Sequence, residues 1–234
     1  MESVLEDNEL GRIEIWRNKS ARRIKVTIKP NHLRLTLPFH VSQKEGLDFL
    51  NEVRIKIKEK QEKSSLQTFI IDENNPLKTL SFTTKVEASK NDKVFFRLRD
   101  RVLLIEYPLS KQSNSAEMQT TFRKGIVYFL QKEAKRLLPE RIKQLATIHG
   151  FSYTAIKIQS SKTRWGSCST KKNINLSYYL LLMPPPLIDY VLLHELCHTV
   201  EMNHGVRFWQ LMDKVTDNQT KSFRKAIKEY RCAL

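Results

Sequence analysis

Apolar and polar residues alternate through much of the first third of the chain. Arg12–Arg17, Ile24–Ile28 and Leu33–Leu37 each place apolar side chains at every second position, the pattern of a half-buried strand. The last two flank Pro30–Asn31 and predict a hairpin closed by a turn there. From Ser42 the period changes. Leu47, Leu50, Val53 and Ile57 recur at helical spacing, and Ser42 with Glu45 makes a capping-box pair, so a helix is predicted to about Lys63. The second third repeats the scheme: Val94–Leu98 and Val102–Tyr107 flank an Arg99–Arg101 turn and end at Pro108, 70 residues after Pro38. Internal duplication is one explanation, chance resemblance of two hairpins the other. A second helix is expected from about Ser115 to Leu138, kinked or restarted at Pro139 and closed by Gly150. Lys111–Ser115 is the most linker-like stretch. The pattern predicts an α+β protein with a β-rich N-terminal hairpin region over 1–110 and a helix-rich region over 111–234.

Composition narrows the class. The 234 residues are 40% hydrophobic and 28% charged, which suits a folded domain with a sizeable core. The longest apolar run, Tyr178–Met183, is too short to span a bilayer, and the acidic start MESVLEDNEL has no apolar core of a signal peptide. Cys168, Cys197 and Cys232 are odd in number and contain no CxxC pair, so neither a disulfide framework nor an all-cysteine metal site is expected. The expectation is a soluble cytoplasmic protein in a reducing compartment, with no membrane partner. The net charge of +16 is uneven: residues 1–117 hold 22 basic and 17 acidic residues, whereas 118–234 hold 19 and 8. That field favours anionic partners and permits weak nucleic-acid binding through a basic surface. A basic surface that merely keeps the chain in solution accounts for the charge equally well.

The chemistry lies after three prolines, Pro184–Pro186, which suit a helix start. Leu187, Ile188, Val191, Leu192, Leu196 and Val200 follow at helical spacing, so His194, Glu195 and His198 share one apolar, buried helix. His194 and His198 stand one turn apart and can face a single metal ion, while Glu195 lies about 100° round the helix, within reach of a metal-bound water. Neutral imidazoles leave the charge of zinc uncancelled, and a carboxylate beside the ion can take a proton from that water and pass it to a leaving amine. Three protein ligands and one open position make a catalytic site. His204, six residues after His198, is the expected third ligand. The turn that brings it back is chemically supported by Asn203 and Gly205, residues that tolerate left-handed backbone. Glu201 is the rival ligand.

His194-Glu-Leu-Cys-His198, Asn203-His204-Gly205 and Phe208-Trp209, preceded by Thr163–Cys168, Asn173–Asn175 and Ile188–Tyr190, together resemble the YgjP-like family of zincin metallopeptidases. That family is similar in its active-site region to SprT-like and WLM proteases, some of which act on DNA-bound proteins. The close match spans about residues 160–210. The resemblance implies a zincin-like core with a small sheet, one Zn2+ per chain held by His194, His198 and His204, and Glu195 as general base of peptide-bond hydrolysis. A peptide or protein is then the substrate.

Around these residues, Trp165 and Cys168 are expected to pack in the core, with Gly166 in a tight turn. Cys197 is expected to be a small buried neighbour, and Phe208 and Trp209 to pack on the zinc helix. Arg164, Asn175, Tyr178 and Tyr179 are candidates for oxyanion stabilisation. Asn173–Leu182 is the expected strand for pairing an extended substrate. Two other functions stay open: a nucleic-acid-associated protease directed to DNA-bound proteins by the basic surface, and a noncatalytic scaffold stabilised by zinc.

Overall fold

The structure, a computed structural model, describes residues 3–29, 32–59, 69–162, 164–230, 232 and 234. The Pro30–Asn31 turn, the last residues of the helix expected to reach Lys63, and Thr163 lie outside the described residues. The chain forms two compact units, Met1–Thr68 and Phe69–Leu234.

In the first unit, β1 (Ser3–Asp7), β2 (Gly11–Asn18), β3 (Lys25–Ile28) and β4 (Leu33–Pro38) form one sheet in the order β1-β2-β4-β3. The expected hairpin is present as β3 antiparallel to β4, with Val26 opposite Leu35. β2 lies parallel to β4, and β1, in the acidic N-terminal segment, adds an edge strand that the sequence pattern did not announce. Ile13, Ile15, Leu33, Leu35 and Leu37 are fully buried on one face. Helix α1 (Gln43–Glu52) begins at a complete Ser42–Glu45 capping box, and Leu50 joins that core. A break at Val53 separates it from a further helical stretch over 54–59.

The second unit opens with β5 (Thr83–Ser89), β6 (Phe95–Arg99) and β7 (Val102–Pro108), in sheet order β5-β7-β6. The β6–β7 hairpin turns on two residues, Asp100 and Arg101, both with positive φ (48° and 63°), which gives the primed turn that a twisted hairpin favours. This sheet repeats the strand topology of the first. In each unit a strand runs parallel to the last strand of a hairpin, as β2 does to β4 and β5 to β7. The hairpin registers correspond with a shift of 70 residues: Lys25 faces Thr36, and Phe95 faces Glu106.

Helix α2 (Ala116–His149) follows Ser115 as its cap and ends at Gly150, whose φ of 72° is the left-handed stop expected of it. Of the expected kink or restart at Pro139, the restart is absent: one helix runs through that position. Proline offers no N–H to the Lys135 carbonyl, yet Met118, Phe122, Ile126, Leu130, Ala134, Leu138 and Ile142 are buried in one stripe that continues past it. Core packing on both sides of position 139 outweighs the single missing hydrogen bond. This stripe shares its core with Leu103, Ile105 and Tyr107 of β7. The compact units therefore divide near residue 68, because the β5–β7 strands need α2 to bury their apolar face. The division expected after residue 110 cuts through that core.

After α2 come β8 (Ala155–Gln159), β9 (Gly166–Cys168) and β10 (Asn173–Ser177), in sheet order β8-β10-β9. A short 3-10 helix (Tyr178–Leu182) leads to α3 (Pro185–Cys197), then α4 (Val206–Val215) and α5 (Thr220–Glu229). Pro185 and Pro186 open α3, as expected, and its residues are buried on nearly all sides, from Leu187 to Cys197. The fold is α+β. Among the described residues no helix is long and apolar enough to cross a membrane.

Candidate active site

Helix α3 carries His194 and Glu195, and His198 caps its C-terminus. The helix tightens and ends there, with the Thr199 and Val200 N–H groups turning back three residues to the Leu196 and Cys197 carbonyls. The chain then reverses without left-handed backbone at Asn203 or Gly205. Gly205 is extended (φ −80°, ψ −173°) and caps the start of α4, so the expected reason for its presence does not hold. The reversal nevertheless returns His204 to the helix.

The His194 and His198 Nε2 atoms lie 3.2 Å apart, and the His204 Nε2 atom lies 3.1 Å from that of His194. Among the described residues this is the one group of three or more metal-ligating side chains, its ligand atoms all within 4.8 Å. Nitrogens held about 2.0–2.1 Å from a tetrahedral zinc ion lie about 3.3 Å apart, so the spacing suits that ion. Glu201, the rival ligand, offers its backbone instead: its carbonyl oxygen lies 3.1 Å from His198 Nδ1, an arrangement that leaves Nε2 free as a donor to a metal. Burial, with the neighbouring His198 and His204, holds the His194 imidazole down to about 3, and burial also lowers His198. Both rings are therefore neutral near pH 7, the form that binds metal.

Aromatic side chains from α4 fix the imidazoles. Phe208 is fully buried and stacks on His198 at 4.5 Å, while Trp209 stacks on His204 at 5.5 Å and donates from Nε1 to the His204 carbonyl oxygen. The expected packing of Phe208 and Trp209 on the zinc helix is thus more specific: each holds one histidine.

Glu195 is 4% exposed, and its Oε2 finds no hydrogen-bond partner among the described residues. Burial pushes its carboxyl up to about 8, with Arg164 acting in the opposite sense. Gly166 faces it from strand β9. A Cβ at this position would stand 2.5 Å from Glu195 Oε1 and 2.6 Å from Cγ. Gly166 is therefore required for close approach of the carboxyl and not for a turn.

These residues open onto a cleft of about 470 Å³ whose walls include Trp165, Tyr190, Trp209 and Arg224. Trp165 thus lines the cleft as well as packing edge-on to Tyr230. Cys168 is half-buried, and Cys197 is a buried thiol whose pKa burial pushes up to about 12. Of the residues weighed for an oxyanion, Asn175 is bonded to Ser167, Tyr178 donates to Ser160, and Tyr179 is buried. None of the three lines the cleft. Tyr190 does. It precedes His194 by four residues, so helical spacing alone could have placed it on the ligand face. Arg224, thirty residues beyond His194, carried no such signal. Strand β10 is paired on both sides, by β8 and β9, so Asn173–Ser177 cannot accept a further strand. The free edge beside Glu195 belongs to β9.

The model of the YgjP-like metallopeptidase domain matches residues 22–230. Among solved structures, the metallopeptidase zymogen abylysin of Pyrococcus abyssi is similar at 23% identity and a TM-score of 0.36, over 39% of this chain and 91% of that one. The zymogen jannalysin of Methanocaldococcus jannaschii is similar at 23% identity and a TM-score of 0.35, over 39% and 93%. No curated protein matches the chain significantly. With its histidines converged on one point and nearly nine-tenths of its length covered by that model, the chain belongs to the YgjP-like family of metallopeptidase domains.

Proposed function

We propose that the chain is a zinc-dependent endopeptidase in which Glu195 activates the attacking water. The observation that carries this reading is the convergence of three imidazole nitrogens beside a buried carboxyl in an open cleft. The residues suit zinc: His194, His198 and His204 would hold it and leave one position open. Bound there, zinc would polarise the scissile carbonyl and acidify a water to near neutral pH.

The remaining work falls to the chain. Glu195, kept ionised by the positive charge that a bound zinc would place beside it, takes the water's proton on a carboxylate oxygen and returns it to the departing amine nitrogen. The Glu201 carbonyl fixes the His198 tautomer, and Phe208 and Trp209 restrain the rings. Tyr190 is the phenol available to the substrate carbonyl oxygen. The edge of β9 offers backbone groups to an extended peptide. In Glu195→Gln, hydrolysis should fall about 10²–10⁴-fold while elemental mass spectrometry still finds about one zinc per chain. Full activity in that variant would overturn the proposed role.

A second reading concerns the N-terminal unit, where nucleic acid is the proposed partner. Arg22, Arg23, Lys25 and Lys29 surround one concave patch with no carboxylate in its lining among the described residues, and Arg34, which also lines it, lies 3.9 Å from Glu14. Such a group of cations suits the backbone of a single strand. With about four phosphates neutralised, affinity for a labelled single strand should fall about 50-fold between 50 and 200 mM salt. The triple variant Arg22→Glu, Arg23→Glu, Lys25→Glu should flatten that dependence. An unchanged slope in fluorescence anisotropy would refute the assignment.

A further inference from the structure

The cleft has a cationic wall that the proposed hydrolysis does not use. Arg224 and Lys228 stand one turn apart on α5 and line the cleft together with His194 and Glu195. The Arg224 guanidinium carbon lies 4.5 Å from the centroid of the Trp209 ring, and that ring stacks on His204. One indole therefore holds the cation at a set distance from the imidazole cluster. Among the described residues Arg224 forms no ion pair with a carboxylate, and the sole carboxyl lining the cleft is Glu195, which faces Gly166.

We infer that Arg224 selects substrates that present a carboxylate next to the scissile bond. This rests on reading the cleft as a peptidase site. The carboxylate is either an Asp or Glu side chain or the C-terminal group of the peptide. A guanidinium stacked on an indole is already restrained in orientation and offers two parallel N–H groups to a carboxylate. Aromatic walls at Trp165 and Trp209 reduce the water around the pair, which strengthens it. A glutamine in place of glutamate leaves the guanidinium without its anion, and a lysine there is repelled.

The test uses one peptide series that varies a single position as Glu, Gln, Ala or Lys, each with free and amidated C-termini. Cleavage is measured with the zinc-loaded full chain, and binding by calorimetry in the Glu195→Gln background. The wild-type protein should favour Glu over Gln about tenfold in kcat/KM and in affinity, with Lys the poorest. Arg224→Met, which keeps an apolar stem over Trp209, should bring the Glu-to-Gln ratio near one. Arg224→Lys should retain part of it, separating charge from packing. A preference that follows the free C-terminus assigns the carboxylate to the chain end; one that survives amidation assigns it to the side chain. Equal cleavage and binding of Glu and Gln peptides, a preference unchanged in Arg224→Met, or no binding of any peptide would overturn the inference. If binding shows the Arg224-dependent preference but no peptide is cut, the hydrolytic reading falls and with it the placement beside a scissile bond, while carboxylate recognition by Arg224 stands.

Discussion

In Gly166→Ala the new methyl group would enter the space of the Glu195 carboxyl, which sits within 2.8 Å of that position from Oε1 to Cδ. The carboxyl must then move by close to an ångström, while the three histidines keep their own supports. Displacement of a catalytic group on that scale costs about 100-fold. Gly166→Ala should therefore lose about that much in kcat yet keep its zinc, as read by peptide cleavage beside elemental analysis. Parallel loss of metal would place Gly166 in the support of the ligands instead. The histidines were legible in the sequence because their spacing, 194, 198 and 204, is local and helix geometry converts it directly into a shared face. The need for glycine at 166 was not, since it arises from contact with a side chain 29 residues further on.

Among the elements, the alternating strands and the capped helices could be read, but strand partners could not. Alternation reports that a strand has one buried face and carries no information on which neighbour it pairs with. The parallel pairings of β2 with β4, β5 with β7 and β8 with β10 were invisible for that reason, as was the central place of β10. Strand β1 was hidden by its acidic residues, one of which ties it to the helical stretch over 54–59. Asp7 Oδ1 and Oδ2 accept from Arg54 at 2.9 and 2.8 Å, and the Leu10 and Glu9 N–H groups add to this. The Arg54 hydrogen bonds hold the Asp7 carboxyl well below the usual carboxylate range, against the opposing effect of burial. A carboxylate depressed in the folded state stabilises it fully above its unfolded value of about 4 and loses that contribution as pH falls through the folded value. Hydrogen exchange of the β1–β2 amides should therefore speed up as pH drops below about 4, after correction for intrinsic rates. Asp7→Asn should exchange faster than wild type at pH 7, with the difference vanishing in acid. Equal protection at pH 7 would contradict the pairing.

Across the whole molecule, the positive charge and the topology are distributed differently. The strand pattern occurs twice, in Met1–Thr68 and again in the β5–β7 sheet, and only the second copy continues into the long helix and the histidine site. The prolines 70 residues apart after the hairpins marked this correspondence in the sequence, and the hairpin registers match with the same shift. The boundary between the units was not legible, because it depends on which helix covers each sheet and not on where the chain is rich in linker residues. Net charge reads only as a sum along the chain. Folding sorts part of it into a concave patch on one unit and a cleft wall on the other, and each can meet a different anion.

The three histidines span eleven consecutive residues, 194 to 204, whereas the glycine that accommodates the carboxylate between them enters from a strand far earlier in the chain. Closing so short a segment on itself costs little chain entropy. On the proposed reading, metal capture is then a local event, open to a partly assembled chain, whereas competence to cut waits for β9 to dock. Such a chain would hold its ion before it could harm a neighbouring polypeptide.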